Sequence, residues 1–264
     1  MGRRPLDVEL VRRGLVPSTA DAQEAVRTGK VSVRGVPATK TTTLVAADEP
    51  LVVAGTERPF VSRGGEKLSA ALDAFDVDPS DREALDAGAS TGGFTDCLLQ
   101  RGARHVIAVD VGYGQLAWGL RTDPRVTVMD RTNVRDLVAD ALPFRPSLVT
   151  ADLSFVSLGR ALEPLLGVAT STADLVLLIK PQFEAARDEV GPGGVVRDPD
   201  VWRRAIERIV EAARAAGAGP VAVIASPITG PAGNVEFFLH ARSGGDGDPL
   251  DVDGAIREGA EVGR

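Results

Sequence analysis

With 264 residues, 44% of them hydrophobic and 25% charged, the chain has room for one ordinary domain plus a small appendage, and its composition excludes wholesale disorder. No apolar run approaches membrane-spanning length, no signal-peptide core follows Arg3 and Arg4, and the single cysteine, Cys97, excludes an internal disulfide or a multi-cysteine metal cluster. The net charge of −7 is unevenly spread: residues 1–45 hold eight Lys or Arg against four acids, a local +4 that leaves −11 for the rest. A cytoplasmic protein with no metal and no membrane partner is therefore expected, and its basic end is suited to a phosphate backbone, which senses charge only within about 10 Å at physiological salt.

Taken in chain order, Leu6, Leu10 and Val11 share one helical face, with Gly14 as a stop. Ser18 opens a second helix through Ala22, Ala25 and Val26 to Gly29, with Asp21 three residues on as a capping-box-like acid. Lys30-Val31-Ser32-Val33 alternates, Arg34-Gly35 turns, and Leu51-Val52-Val53 supplies another strand. Residues 1–56 are thus predicted to form two helices and a small hairpin sheet, a minor α+β domain, and 57–64 reads as a linker. Gly29-Lys30-Val31 closing the second helix, Val33, the turn and Lys40 together resemble the S4-like RNA-binding domain, although Thr19 stands where that family places an arginine. Arg3, Arg4, Arg12, Arg13, Lys30, Arg34 and Lys40 are the candidate RNA contacts; an ordinary solvated basic face is the plainer reading.

From residue 65 the pattern changes to alternating strands and helices. Lys67, Leu68, Ala71, Leu72 and Phe75 form an amphipathic helix, and short apolar runs recur at 84–85, 106–109, 126–129, 148–151, 175–179 and 221–224. Among the helical patterns between them, Trp202, Ile206, Ile209, Val210 and Ala213 is the clearest. Such alternation implies a Rossmann-like α/β domain, a mostly parallel sheet covered on both faces, over 65–242. The Gly- and Asp-rich stretch 243–264 is expected to be a flexible tail with a helical turn near Ala255 to Glu261.

The first of these strands leads into Asp86-Ala87-Gly88-Ala89-Ser90-Thr91-Gly92-Gly93-Phe94, small residues between a strand and a helix, where a ligand can approach the backbone. The second strand ends at Asp110, placed to hold a ribose, and the third at Asp130, near where an adenine amine would lie. A glycine-rich turn alone suits NAD, S-adenosylmethionine or no ligand at all. Gly88-x-Ser90-x-Gly92 also matches the nucleophile elbow of serine hydrolases, with Asp152 or Asp174 and His240 completing the chain order. That elbow normally follows several strands, whereas this turn follows the first. The spacing Asp-x-Gly-x-Ser-x-Gly-Gly-Phe is similar to the cofactor loop of S-adenosylmethionine methyltransferases of the FtsJ and TlyA (haemolysin A-like) type.

Four charges interrupt hydrophobic contexts: Lys67, Asp152 after the fourth strand, Lys180 after the fifth, and Glu236 among apolar neighbours. Singly, each has an ordinary reading as a solvated or capping residue; buried, they would have to pair. Jointly they match the Lys-Asp-Lys-Glu set of ribose 2′-O-methyltransferases. The segments Ser62-Arg63-Gly64-Gly65-Glu66-Lys67, Asp152-Leu153-Ser154-Phe155, Lys180-Pro181-Gln182-Phe183 and Gly193-Gly194-Val195-Val196-Arg197-Asp198 resemble the TlyA family. This resemblance implies methylation of cytidine 2′-hydroxyls in small- and large-subunit ribosomal RNA. Lys180 would be the base, lowered by the neighbouring cation Lys67 and by desolvation, with Asp152 and Glu236 orienting the lysines. Arg63 is a further candidate RNA contact, and Phe155 a stacking partner for a flipped base. Two other functions compete: an RNA-binding assembly factor with an inactive methyltransferase fold, and a haemolysin.

Overall fold

The computed structural model describes residues 3–16, 18–46, 49–54 and 59–263, so the expected boundary at residue 56 and linker residues 57 and 58 lie outside the described residues. The chain divides into two compact units, Met1–Pro59 and Phe60–Arg264.

In the first unit, β1 (Arg4–Pro5), α1 (Leu6–Arg12) and α2 (Thr19–Arg27) are followed by β2 (Val31–Val33), β3 (Val36–Pro37), β4 (Leu44–Val45) and β5 (Leu51–Val53). The strands form a three-stranded antiparallel sheet, β3-β2-β5, and a two-stranded pair, β1-β4. Ser18 caps α2 by accepting the Asp21 amide at 3.2 Å. Arg34 and Gly35, with φ of 53° and 79°, give the left-handed two-residue turn that matches the twist of the β2–β3 hairpin. Leu6, Leu10, Ala22, Val26 and Val31 are the centre of this unit's core.

The second unit begins with α3 (Arg63–Ala74), β6 (Glu83–Ala87), α4 (Gly93–Gln100), β7 (His105–Val109), α5 (Trp118–Arg121), β8 (Val126–Met129) and β9 (Leu148–Ala151). It continues through α6 (Gly159–Val168), β10 (Asp174–Ile179), α7 (Pro181–Glu184), α8 (Pro199–Ala215), β11 (Ala218–Ala225), β12 (Phe237–Ser243) and α9 (Val252–Val262). The sheet order is β11-β12-β10-β9-β6-β7-β8, with only β12 antiparallel to its neighbours. Alternation along each strand divides the core in two. Leu85, Ile107, Val149 and Leu177 face α6 and α8, while Ala84, Val106, Leu148 and Val176 face α3 and α4. The chain builds β6, β7 and β8 outward, then returns to lay β9 on the other flank of β6. Between β6 and β9 lies the switch point at which open α/β sheets bind ligands.

Two expectations need correction. The linker does not extend to residue 64: Phe60 packs on the core, the Val61 amide donates to Asp96 at 2.7 Å, and α3 begins at Arg63. The segment 243–264 is not a loose tail: α9 fills eleven of its positions, buries Ala255 and lays Ile256 and Ala260 against the main core. Its Gly and Asp residues, read as markers of disorder, have local structural duties. Asp251 caps the helix by accepting the Gly254 amide at 2.8 Å, and a Cβ at Gly259 would meet the Phe237 ring at 3.1 Å.

Candidate active site

Three of the four singled-out charges leave the same end of three adjacent strands. Asp152 follows β9, Lys180 follows β10, and Glu236 precedes β12, whose Phe237 is paired with Ile179. The fourth, Lys67, reaches this end from α3, its Nζ 2.5 Å from Glu236 Oε2, with the two side chains 7% and 1% exposed. Lys180 is ion-paired with Asp152 and also donates to Ser154 Oγ at 2.9 Å. Glu236 is therefore not a solvated residue: it is buried, and β12 lies between β10 and β11. The four charges form two ion pairs, one of them buried, Lys67 with Glu236, and one partly exposed, Lys180 with Asp152.

Beside them a cleft of about 590 Å³, a size that encloses a nucleoside-bearing ligand, opens at the switch point. Of the predicted cofactor residues, Gly88, Ser90 and Asp110 line it, together with Asp152 and Phe155. Asp110 accepts the Ser90 amide at 2.8 Å and the Gly112 amide at 2.6 Å, so it shapes both loops at the cleft mouth. Gly88 has φ +85°, and a Cβ there would meet the Asp152 carbonyl oxygen at 2.4 Å; its smallness lets the β6 and β9 loops touch.

The remaining predicted cofactor residues do not line this cleft. Gly92 and Gly93 are required by packing. A Cβ on Gly92, at φ +100°, would meet Leu120 at 2.3 Å, and one on Gly93 would meet Ser62 Oγ at 2.2 Å. Phe94 is buried in the core beside Phe238, and Thr91 accepts the Ala117 amide at 3.1 Å through its carbonyl. Asp86 is fully buried under the loop and accepts from Thr95 Oγ1 at 2.6 Å. Burial pushes its carboxyl up to about 7, against the Thr95 hydrogen bond and with the nearby Asp152 and Asp110 adding to the rise. Asp130 is engaged by Arg121 at 2.6 Å and the Gly114 amide at 3.2 Å, and Arg121 holds its carboxyl below the usual range. The cleft wall after β8 is built instead from Thr132, Asn133, Val134 and Arg135. The polar run that starts at Asp130 is the sequence signal for this wall.

Phe155 is 92% exposed at the cleft rim, at φ +64°, its ring 5.3 Å from that of Phe183. Arg63 is the first residue of α3 and is exposed, with no ion-pair partner among the described residues. In the first unit, Arg4, Arg12 and Arg13 surround a carboxylate that sequence reasoning passed over, the buried Glu9. The Arg12 guanidinium, opposed by desolvation and aided by Arg13, holds Glu9 down at about 2. Arg13 also donates to the carbonyls of Glu49 and Ala46, and Arg34 pairs with Glu49. Arg3, Lys30 and Lys40 are exposed and have no ion-pair partner among the described residues.

The hydrolase constellation does not assemble. His240 Nε2 is 2.8 Å from Asp174, but Asp174 opens β10 and so lies at the opposite end of the sheet from the loop that carries Ser90. Although burial opposes it, His240 and Arg82 hold the Asp174 carboxyl well below its usual range, as befits a structural charge cluster. Among the described residues no helix is long and apolar enough to cross a membrane.

Residues 60–243 match the FtsJ-like methyltransferase family. The chain is 53% identical to the 16S/23S rRNA (cytidine-2′-O)-methyltransferase TlyA of Mycobacterium tuberculosis over 92% of its own length and 91% of that protein. It is 45% identical to YqxC of Bacillus subtilis, named a "putative rRNA methyltransferase", over 92% and 86% of the two chains. A solved structure from Streptococcus thermophilus, named a "putative hemolysin", superposes with a TM-score of 0.83 at 34% identity, covering 99% of this chain and 97% of that one. With the sheet order, the paired Lys-Asp-Lys-Glu set and the cleft at the switch point, these matches establish that the chain belongs to the FtsJ-like methyltransferase family and to its TlyA group.

Proposed function

We propose that the protein methylates a ribose 2′-hydroxyl of ribosomal RNA, on cytidine, using S-adenosylmethionine. The observation that carries this reading is the pair of ion pairs, Lys67 with Glu236 and Lys180 with Asp152, at one end of three neighbouring strands beside the cleft. A site with no need of them would be more stable with apolar residues in their place. The printed activity of the Mycobacterium tuberculosis relative supports the same reading.

Asp110, at the end of β7, is suited to accept from the hydroxyls of a nucleoside, with Val111 and Val134 offering apolar wall beside it. S-adenosylmethionine, when bound, supplies an electrophilic methyl group on a sulfonium. The ribose hydroxyl is a weak nucleophile until it loses its proton. Lys180 Nζ is the group placed to take that proton, with Asp152 beside it to balance the charge of the ammonium. Ser154 Oγ fixes the direction of the amine. Lys67, held by Glu236, positions the ribose from the α3 side. Phe155 offers an exposed ring to a base turned out of its stack.

The first unit, with its S4-like order of elements, captures the RNA. Arg3, Lys30 and Lys40 have no ion-pair partner among the described residues, and Arg4 and Arg12 remain half exposed beside Glu9. Ribosomal subunits in the cytoplasm are the natural partners of such an enzyme.

The test is transfer of labelled methyl from S-adenosylmethionine to purified small and large ribosomal subunits by wild type and Lys180→Ala, with the product mapped for ribose methylation. Label on cytidine ribose that disappears in the variant supports the reading. Full methylation by Lys180→Ala with cofactor binding intact removes Lys180 as the base. No transfer by wild type to either subunit turns the reading toward an assembly factor.

A further inference from the structure

Glu184 ends α7, the short helix that directly follows Lys180, and it is only 4% exposed. Among the described residues its carboxylate accepts no hydrogen bond from a cation, although the charge of Arg208 is near enough to favour its ionised form. Oε2 accepts from Ser157 Oγ at 2.6 Å and Oε1 from the Leu158 amide at 2.7 Å, while Arg208 donates to its backbone carbonyl and not to its side chain. Burying a carboxylate against two neutral donors is costly, and the cost is visible as an upward push on its titration by desolvation. An apolar residue would fill this place more cheaply unless the two accepted hydrogen bonds matter.

Both bonds go to one end of the segment 152–158, which carries Asp152, Ser154 and Phe155. The other end of that segment is fixed by the contact of Asp152 with Lys180 and of Ser154 with Lys180. Between the two anchors Phe155 sits at φ +64°, a backbone region that is strained for a bulky L residue, and its exposed ring gains little from burial. Such a residue stays in place only where its surroundings over-determine it. The anchors come from the two ends of one five-residue stretch, Lys180 to Glu184, with Phe183 between them touching the Phe155 ring. Two loops from adjacent strands are thus stapled together on both sides of the exposed ring.

We propose that Glu184 is a positioning residue for RNA: through Ser157 and Leu158 it locks the 152–158 loop so that Phe155 is presented beside Lys180 as a preformed platform for the target nucleotide. This rests on the reading of the site as an RNA 2′-O-methyltransferase. Glu184 acts through the loop and touches neither cofactor nor the reacting atoms.

The experiment compares wild type, Glu184→Ala, Glu184→Gln, Ser157→Ala and Phe155→Ala on ribosomal subunits, with kcat and KM for the subunit, S-adenosylmethionine affinity, and hydrogen exchange of the amides from 153 to 158. Loss of hydrogen bonds to a buried carboxylate should raise KM for RNA about tenfold in Glu184→Ala, with kcat and cofactor affinity within about threefold of wild type. Exchange over 153–158 should rise while β9 and β10 stay protected. Glu184→Gln, which can still accept from Leu158 and donate to Ser157, should restore most of the KM. Adding Phe155→Ala to Glu184→Ala should cost nothing further, since both remove the same platform. If Glu184→Ala does not fold, Ser157→Ala, which removes one of the two bonds, must raise the same KM by a few-fold. A fall in kcat at unchanged KM, full additivity with Phe155→Ala, or faster exchange without any change in KM overturns the assignment. Inactive wild type would remove the methyltransferase reading and this role with it, a result distinguishable from the others because it leaves the variants nothing to alter.

Discussion

Lys67 Nζ lies 2.5 Å from Glu236 Oε2 in a place where water hardly reaches either side chain, so each charge is the other's principal compensation. Lys67→Met should destabilise the protein by about 3–5 kcal/mol, because Glu236 is left charged and unpaired. Lys67→Met combined with Glu236→Leu should recover most of that loss. Denaturant unfolding of the three variants measures this, and methyl transfer should remain absent in the double variant although its stability returns. Recovery of both would reduce the pair to a structural device.

Gly93 is at the start of α4, and a Cβ there would lie 2.2 Å from Ser62 Oγ and 2.9 Å from the Gly65 nitrogen. Gly93→Ala should lower stability by about 1–3 kcal/mol through overpacking of α3 against α4. Because Gly93 does not line the cleft, S-adenosylmethionine affinity measured well below the unfolding temperature should change less than threefold. A large affinity loss in a variant of unchanged Tm would return Gly93 to the cofactor site.

The Asp86 carboxyl is raised to about 7 from an ordinary value of 3.8. A raised folded value means that the folded state holds its proton more tightly, so stability from this group is full below about pH 4 and is lost as pH rises through 7. Asp86→Asn, which can still accept from Thr95, should therefore gain stability relative to wild type across that window. The difference between their unfolding free energies at pH 4 and pH 7.5 is the readout, and an Asn variant that is equally or more destabilised at the higher pH would contradict the burial argument.

Ser90 engages Asp110 through its amide, at 2.8 Å, and not through its hydroxyl. Ser90→Ala should keep methyl transfer within about threefold of wild type, whereas Asp110→Ala should weaken cofactor binding by at least about tenfold, since it removes the carboxylate proposed to accept from the nucleoside hydroxyls and frees two loops. Loss of activity in Ser90→Ala alone would assign the hydroxyl a role that the geometry does not provide.

Much of the second unit is legible from alternation. The apolar runs at 84–85, 106–109, 148–151 and 175–179 are strands because both sheet faces are covered, and residues such as Leu85 and Ala84 meet opposite halves of the core. The tail was misjudged because Gly and Asp are read as disorder by composition, while at 251 and 259 they serve as a cap and as room for Phe237. Glu9 and Glu184 escaped notice because a single acid among helical residues looks solvated until the fold shows what covers it.

The linear chain by itself determined the alternation of strands and helices from residue 65 and the mostly parallel sheet, and it marked Lys67, Asp152, Lys180 and Glu236 as charges in apolar contexts, since side-chain periodicity and interrupted apolar runs are local properties. Which charges pair was decided only in three dimensions. The insertion of β12 between β10 and β11 brings Glu236 beside the end of β10 and under α3, and the packing of Gly92 and Gly93 removes them from the cleft. Pair choice and burial depend on distances between strands remote in sequence, and no local pattern encodes those distances.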